Sequence, residues 1–215
     1  MKMILDPQKI EEESFRIIDG LLSRSKLSKR QKEVVQRVIH ATAEPGYAKD
    51  ILFHPKAIEA ALAAIKHGKN IIVDSNMIKA GINKNWLSNF NNKIICLISD
   101  KDVIKASKKM HVTRAILAMR KSANVMDGSV VAIGNAPTAL FEVCNMIEQK
   151  KARPGLVIGV PVGFVGAVES KKRLAGLQTP YITNKTRYGG SSAAIAIVNA
   201  LLKIAKRKEA GEAIK

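Results

Sequence analysis

The stretch 128-GSVVAIGNAPTALFEVCNMIEQKKARPGLVIGV-160 sets the architecture. It opens on a short, nearly unbroken apolar run, Ser129–Ile133, and passes through a loop of small and polar residues, Gly134–Thr138. A helical pattern follows over Pro137–Lys150, and the chain then returns to a second apolar run at Gly155–Val160. Strands buried on both faces read as continuous apolar runs, and two of them joined through a helix form a parallel crossover unit. The same alternation extends in both directions. Asn70–Asp74 and Lys93–Ile98 are strand-like upstream and Pro180–Thr183 downstream. Helical stretches at Pro55–His67, Val103–Met110, Val112–Ala123, Val165–Ala175 and Gly190–Arg207 separate or follow them. Five strands with such crossovers predict a three-layer α/β/α domain, a doubly wound, mainly parallel sheet covered on both sides.

Two helices precede the sheet. Ile10, Ile17, Ile18, Leu21 and Leu22 recur at helical spacing over Pro7–Leu22, and Ser14 interrupts that stripe. Ser28-Lys-Arg-Gln31 has the pattern of a capping box and opens the second helix, which Pro45-Gly46 ends. No linker or repeat is visible, so residues 1–215 read as one domain, with the charged segment 203–215 expected to fray.

Composition narrows the function. There are 36 Lys and Arg against 18 Asp and Glu, a formal charge of +18, which favours an anionic partner. A hydrophobic content of 47% excludes a disordered polycation, and 4% aromatics weakens a base-stacking surface for single strands. Two cysteines make neither a disulfide framework nor a four-thiolate metal site, and no His/Cys/Asp/Glu grouping has ligand spacing, so no protein-held metal is expected. No apolar run suits a bilayer and the charged start is unlike a signal peptide, so the expectation is a cytoplasmic protein without membrane attachment. A basic nucleic-acid-binding α/β module is the competing reading, but it has charge without a motif.

Open parallel sheets bind ligands beyond the carboxyl ends of their strands. Four peptides fall there: Asp74–Met77, Gly134–Thr138, Pro161–Gly166 and Arg187–Ser191. They supply Asn76, Asn135, Thr138, Gly163, Gly166, Arg187, Gly189, Gly190 and Ser191 as candidate binding residues. Turn and capping chemistry accounts for any one such loop, whereas four on one edge point to a site. Neither a phosphate-loop spacing nor a G-x-G-x-x-G fingerprint is present, which disfavours nucleotide-dependent methyl transfer or dehydrogenation. Of the histidines, His54, His67 and His111 sit at helix boundaries. His40 lies roughly opposite the mean direction of Val34, Val35, Val38 and Ile39, with Arg37 one turn before it. Helical geometry alone leaves an exposed Arg/His pair and a functional site equally open. Cys96 and Cys144 lie in apolar runs and read as buried, inert thiols.

Longer motifs are more specific. Gly128–Phe141, Ala152-Arg-Pro, Gly159-Val-Pro-Val-Gly-Phe-Val-Gly-Ala-Val-Glu-Ser-Lys171 and Gly189-Gly-Ser, with Arg37-Val-Ile-His40-Ala, Asp74-Ser-Asn-Met77 and Thr113-Arg114 upstream, resemble the precorrin-8X and cobalt-precorrin-8 methylmutases over roughly residues 4–203. The resemblance implies a flavodoxin-like fold, a homodimer and an isomerase of corrinoid biosynthesis. Such an enzyme moves a methyl group from C-11 to C-12 of the contracted macrocycle, a formal 1,5-sigmatropic shift without methyl donor or cofactor; any cobalt is carried by the ring. It further implies that His40 is the proton donor and acceptor and that Ser14 and Arg37 contact an anionic corrinoid, with Thr113 and Arg114 among the other binding residues. The segment Ala41-Thr-Ala-Glu-Pro45 departs from the family, where a Cys-Gly pair is common.

Overall fold

A computed structural model describes residues 4–209. Helix α1 (Pro7–Leu22) starts where Asp6 accepts the N–H groups of Gln8 and Lys9, and α2 (Lys29–Thr42) starts with the complete Ser28/Gln31 capping box. Short α3 (Tyr47–Asp50) leads into β1 (Ile51–Phe53), followed by α4 (Ala57–Lys66), β2 (Ile71–Val73), α5 (Asn76–Gly81), α6 (Lys84–Leu87) and β3 (Ile94–Ile95). Then come α7 (Lys101–Met110), α8 (Arg114–Lys121), β4 (Val130–Ile133), α9 (Pro137–Glu148), β5 (Leu156–Gly159), α10 (Ala167–Ala175), β6 (Tyr181–Asn184) and α11 (Ser191–Glu209).

The sheet runs β1-β6-β5-β4-β2-β3. Strands β2 to β6 are parallel, and counted among themselves they have the order 2-1-3-4-5, the flavodoxin-like form of the doubly wound sheet. The expected five strands are therefore joined by a sixth. β1 pairs antiparallel with β6, Ile51 opposite Asn184, and closes that edge. It is only three residues long, and its pairing depends on a strand about 130 positions away, so it has no period of its own to read.

Alternation along the strands divides the core in two. Val130, Ala132, Leu156 and Ile158 pack under α1, α2, α4, α5 and α11, while Val131, Ile133 and Val157 pack under α7 to α10. Each such Val, Leu or Ile side chain contributes about 1.5–3 kcal/mol by leaving water, and a sheet covered on one side only would forgo one of the two sets. One expectation is corrected. The charged segment from Lys203 does not fray at once: α11 continues to Glu209, because Ile204 and Ala205 still face the core and Arg207 pairs with Glu33 of α2. Residues 210–215 of that segment lie outside the described residues. None of the described helices is long and apolar enough to cross a membrane.

Candidate active site

The carboxyl edge of the sheet gathers the four loops named from sequence. Where the strand order reverses, between β2 and β4, the Asp74 carboxylate accepts the N–H groups of Gly134 (3.1 Å), Asn135 (2.9 Å) and Ala136 (2.7 Å). Asp74 is fully buried, and burial lifts its carboxyl above the usual carboxylate range although the three N–H bonds pull it back. The chain has thus filled the anion cradle at its own switch point. Gly134 is required there: a Cβ would stand 2.6 Å from the Gly190 carbonyl oxygen and 2.9 Å from Ala194. Ser75 Oγ meets Ser191 Oγ at 3.1 Å, Asn76 donates to Ser99 Oγ at 2.8 Å, and Thr113 Oγ1 meets Thr138 Oγ1 at 3.2 Å. Thr113 also caps α8, and Arg114, its first residue, is exposed.

On the other side, Gly163 donates its N–H to the Arg187 carbonyl at 3.3 Å, and the Arg187 guanidinium lies 5.8 Å from the Phe164 ring. Phe164 and Val165 are nearly fully exposed, at 89% and 88%, beside exposed Val162 and Tyr188. An apolar rim with cationic and amide groups around it suits a large, flat ligand with acidic arms. Gly166 begins α10 with φ 75°, and any side chain at Gly189 would run into the Val160 carbonyl.

Sequence reasoning missed what holds the last loop. Lys171 is buried on the inner face of α10 and donates to the carbonyls of Thr186 (2.8 Å) and Tyr188 (2.5 Å). Burial brings its ammonium down to about 8. Its position was legible, since Ala167, Ser170, Lys171 and Leu174 share the core stripe of that helix.

The second group lies on the outer helices. Ser14 Oγ and His40 Nδ1 are 2.7 Å apart across α1 and α2, bringing together residues 26 positions apart. Phe15 leans on the imidazole, with ring centroids 5.1 Å apart and planes at 54°, and Arg37 lies over the same ring at 4.6 Å. Arg37 Nη1 also donates to Glu11 at 2.6 Å. His40 is exposed while Val34, Val35, Val38 and Ile39 are buried, as the helical projection requires. The Ser14 contact occupies Nδ1 and leaves Nε2 without a protein partner among the described residues. A hydroxyl that accepts from Nδ1–H holds the ring in the tautomer whose Nε2 can gain and lose a proton.

No hydrogen bond or ring contact among the described residues joins Ser14, Phe15, Arg37 or His40 to the carboxyl-edge loops. They nevertheless lie toward one end of the molecule. α2 runs antiparallel to α11, with Glu33 paired to Arg207, so the His40 end of α2 points the way of Ser191, where α11 leaves the sheet edge. The remaining histidines are local: His54 accepts from the Lys56 N–H, His67 bonds Ala63 at the end of α4, and His111 ends α7 with φ 53°. Cys144 is buried and its thiol is pushed up to about 12, while Cys96 is half-buried and also raised, both mainly by loss of water.

The family model described as precorrin-8X methylmutase matches residues 9–204. The chain belongs to the precorrin-8X methylmutase family. A cobalt-precorrin-8 methylmutase of Priestia megaterium is 45% identical over 93% of this chain and 88% of its own length, and another from Leptospira interrogans is 42% identical over 93% and 94%. The crystal structure of a precorrin-8X methylmutase from Thermus thermophilus superposes with a TM-score of 0.87 at 38% identity, covering 97% of this chain and 100% of that one. As a methylmutase the protein is an isomerase: it moves a methyl group within one molecule. The nucleic-acid alternative finds no support in these likenesses.

Removing the Ser14 hydroxyl isolates its part in the site. Ser14→Ala leaves α1 intact, since the residue is partly exposed and alanine suits a helix, yet frees the imidazole to turn. If the imidazole takes part in the reaction, turnover is expected to fall about tenfold. Steady-state kinetics beside a melting curve checks it; a variant at wild-type rate would deny Ser14 an orienting role.

Proposed function

We propose that this methylmutase carries a methyl group from C-11 to C-12 of precorrin-8 or its cobalt-loaded form, giving hydrogenobyrinic or cobyrinic acid, with His40 as the proton donor and acceptor. The observation that carries the reading is the Ser14–His40 hydrogen bond at 2.7 Å, with Phe15 against the ring and Nε2 left open. An imidazolium at that position gives a proton to a ring nitrogen of the substrate. The protonated π system then holds the migrating methyl less tightly, and the neutral imidazole recovers the proton once the methyl has moved. Ser14 accepts from Nδ1–H in both states, so the proton given and recovered is the one on Nε2. No methyl donor, net redox change or resident cofactor is called for; cobalt, where present, is cargo of the ring.

Arg37 and the carboxyl-edge residues Asn76, Thr113, Arg114, Asn135, Thr138, Gly163, Gly166, Arg187, Gly189, Gly190 and Ser191 are proposed to receive the substrate. Support comes from the exposed apolar rim at Val162, Phe164, Val165 and Tyr188, and from a net charge of +18 facing a polycarboxylate. A homodimer is proposed as the working form. Ile10, Ile17 and Leu21 are exposed on α1 at coiled-coil spacing, with Ser14 in the same line, an apolar seam suited to a second copy. The proposed compartment is the cytoplasm, in keeping with an isomerase acting on a water-soluble polyacid.

Because the relatives at 45% and 42% identity are named for the cobalt-loaded substrate, cobalt-precorrin-8 is the first to try. Incubating the enzyme with each precursor and following the visible spectrum is the test. Conversion of either to the corrin chromophore supports the reading; no spectral change with both refutes it.

A further inference from the structure

Beside His40, on the far side of Phe15 and Arg37, a cavity of about 330 Å³ opens between α1, α2 and α11. Four cations line it, Lys29 and Arg37 from α2 and Lys203 and Arg207 from α11, against one carboxylate, Glu33. Arg37 is answered by Glu11 and Arg207 by Glu33. Lys29 and Lys203 have no ion pair among the described residues; Lys203 Nζ has only the face of Trp86, 5.9 Å from the ring centre. Arg207 Nε is buried without an acceptor, so the groove holds more donors than its own acids satisfy. Loss of water lowers the Lys203 ammonium below the usual lysine range, and the neighbouring Arg37 and Arg207 charges press it further down. Such a field awaits an anion. Adjacent cations that outnumber their counter-charges repel one another, and the repulsion is relieved when a further carboxylate enters.

We propose that this groove is a carboxylate subsite in which Lys203, with Lys29, holds an acidic side arm of the substrate while the ring meets His40. The inference rests on the corrinoid reading above. It adds a point of attachment distinct from the carboxyl-edge loops, on a groove lined by Phe15, whose ring centroid is 5.1 Å from that of the imidazole. Two attachments on one side of a flat ring fix its rotation, which decides which ring nitrogen meets Nε2.

The test compares Lys203→Met and Lys203→Arg with wild type, using cobyrinic acid and a corrin whose side-arm carboxylates are all converted to amides. Affinity is read by titration of the visible spectrum at two salt concentrations, beside melting curves for each variant. Lys203→Met is expected to bind the acid about five- to tenfold more weakly with a smaller salt dependence, Lys203→Arg to recover most of that affinity, and the amide to bind wild type and Lys203→Met alike. Equal affinity of wild type and Lys203→Met for the acid overturns the subsite, as does a loss shared by acid and amide. A wild-type enzyme that ignores the acid altogether overturns the corrinoid reading itself.

Discussion

His40→Asn is expected to lower turnover by about 10²–10⁴-fold, the range a positioned general acid or base supplies, while the corrin acid still binds. Asparagine fills the place of the imidazole and keeps a polar group near Ser14 Oγ, so α1 and α2 stay packed; only the titratable ring is lost. His40 is exposed at the last turn of α2, outside the buried Val34–Ile39 stripe, and its replacement therefore leaves no cavity. Single-turnover spectra, recorded beside a binding titration, separate chemistry from affinity. A folded variant that loses binding yet turns over each bound molecule at the normal rate would remove His40 from the chemistry and make it a contact residue.

Asp74→Ala is expected to be the most damaging change to the fold, costing about 3 kcal/mol. Three backbone N–H groups at the β4–α9 turn rest on this carboxylate, that of Gly134 buried and those of Asn135 and Ala136 partly so, and a buried orphan donor costs about 1–3 kcal/mol. Against that stands the relief of no longer burying a carboxylate, the effect that lifts its titration above the ordinary range. For a chain of this size the net loss lowers the melting temperature by roughly 10 °C. Asp74→Asn is expected to lose less, because one carbonyl oxygen still accepts while its amide N–H groups confront donors. An alanine variant melting within two or three degrees of wild type, measured by circular dichroism, would show that solvent or a shifted loop satisfies the three donors.

The fold was largely legible because its central parallel strands are buried on both faces, so Val130–Ile133 and Leu156–Gly159 are recognisable without their partners. What escaped was short or dependent on distant chain. β1 has three residues, and α5 begins at a Ser75 cap inside a peptide that reads as loop. Ser14 and His40 became partners only through family resemblance, since no local spacing joins residues on two helices. The Lys203 groove was hidden for a different reason. Charge density at the end of α11 outweighed a periodic signal, Leu201, Leu202, Ile204 and Ala205, that continued beneath it. The Asp74 carboxylate turned out to be structural: it ties the end of β2 to the β4–α9 loop and denies that place to any foreign anion.

Lys171 carries three protons on its nitrogen and spends hydrogen bonds on two carbonyls, those of Thr186 and Tyr188. An amine that has shed its third proton still has two to give. The fastening beneath Arg187 and Tyr188 thus outlasts alkalinity: as the medium passes about 8 the cation disappears, two N–H donors remain, and because burial lowers this ammonium the fold gains rather than loses stability over that range.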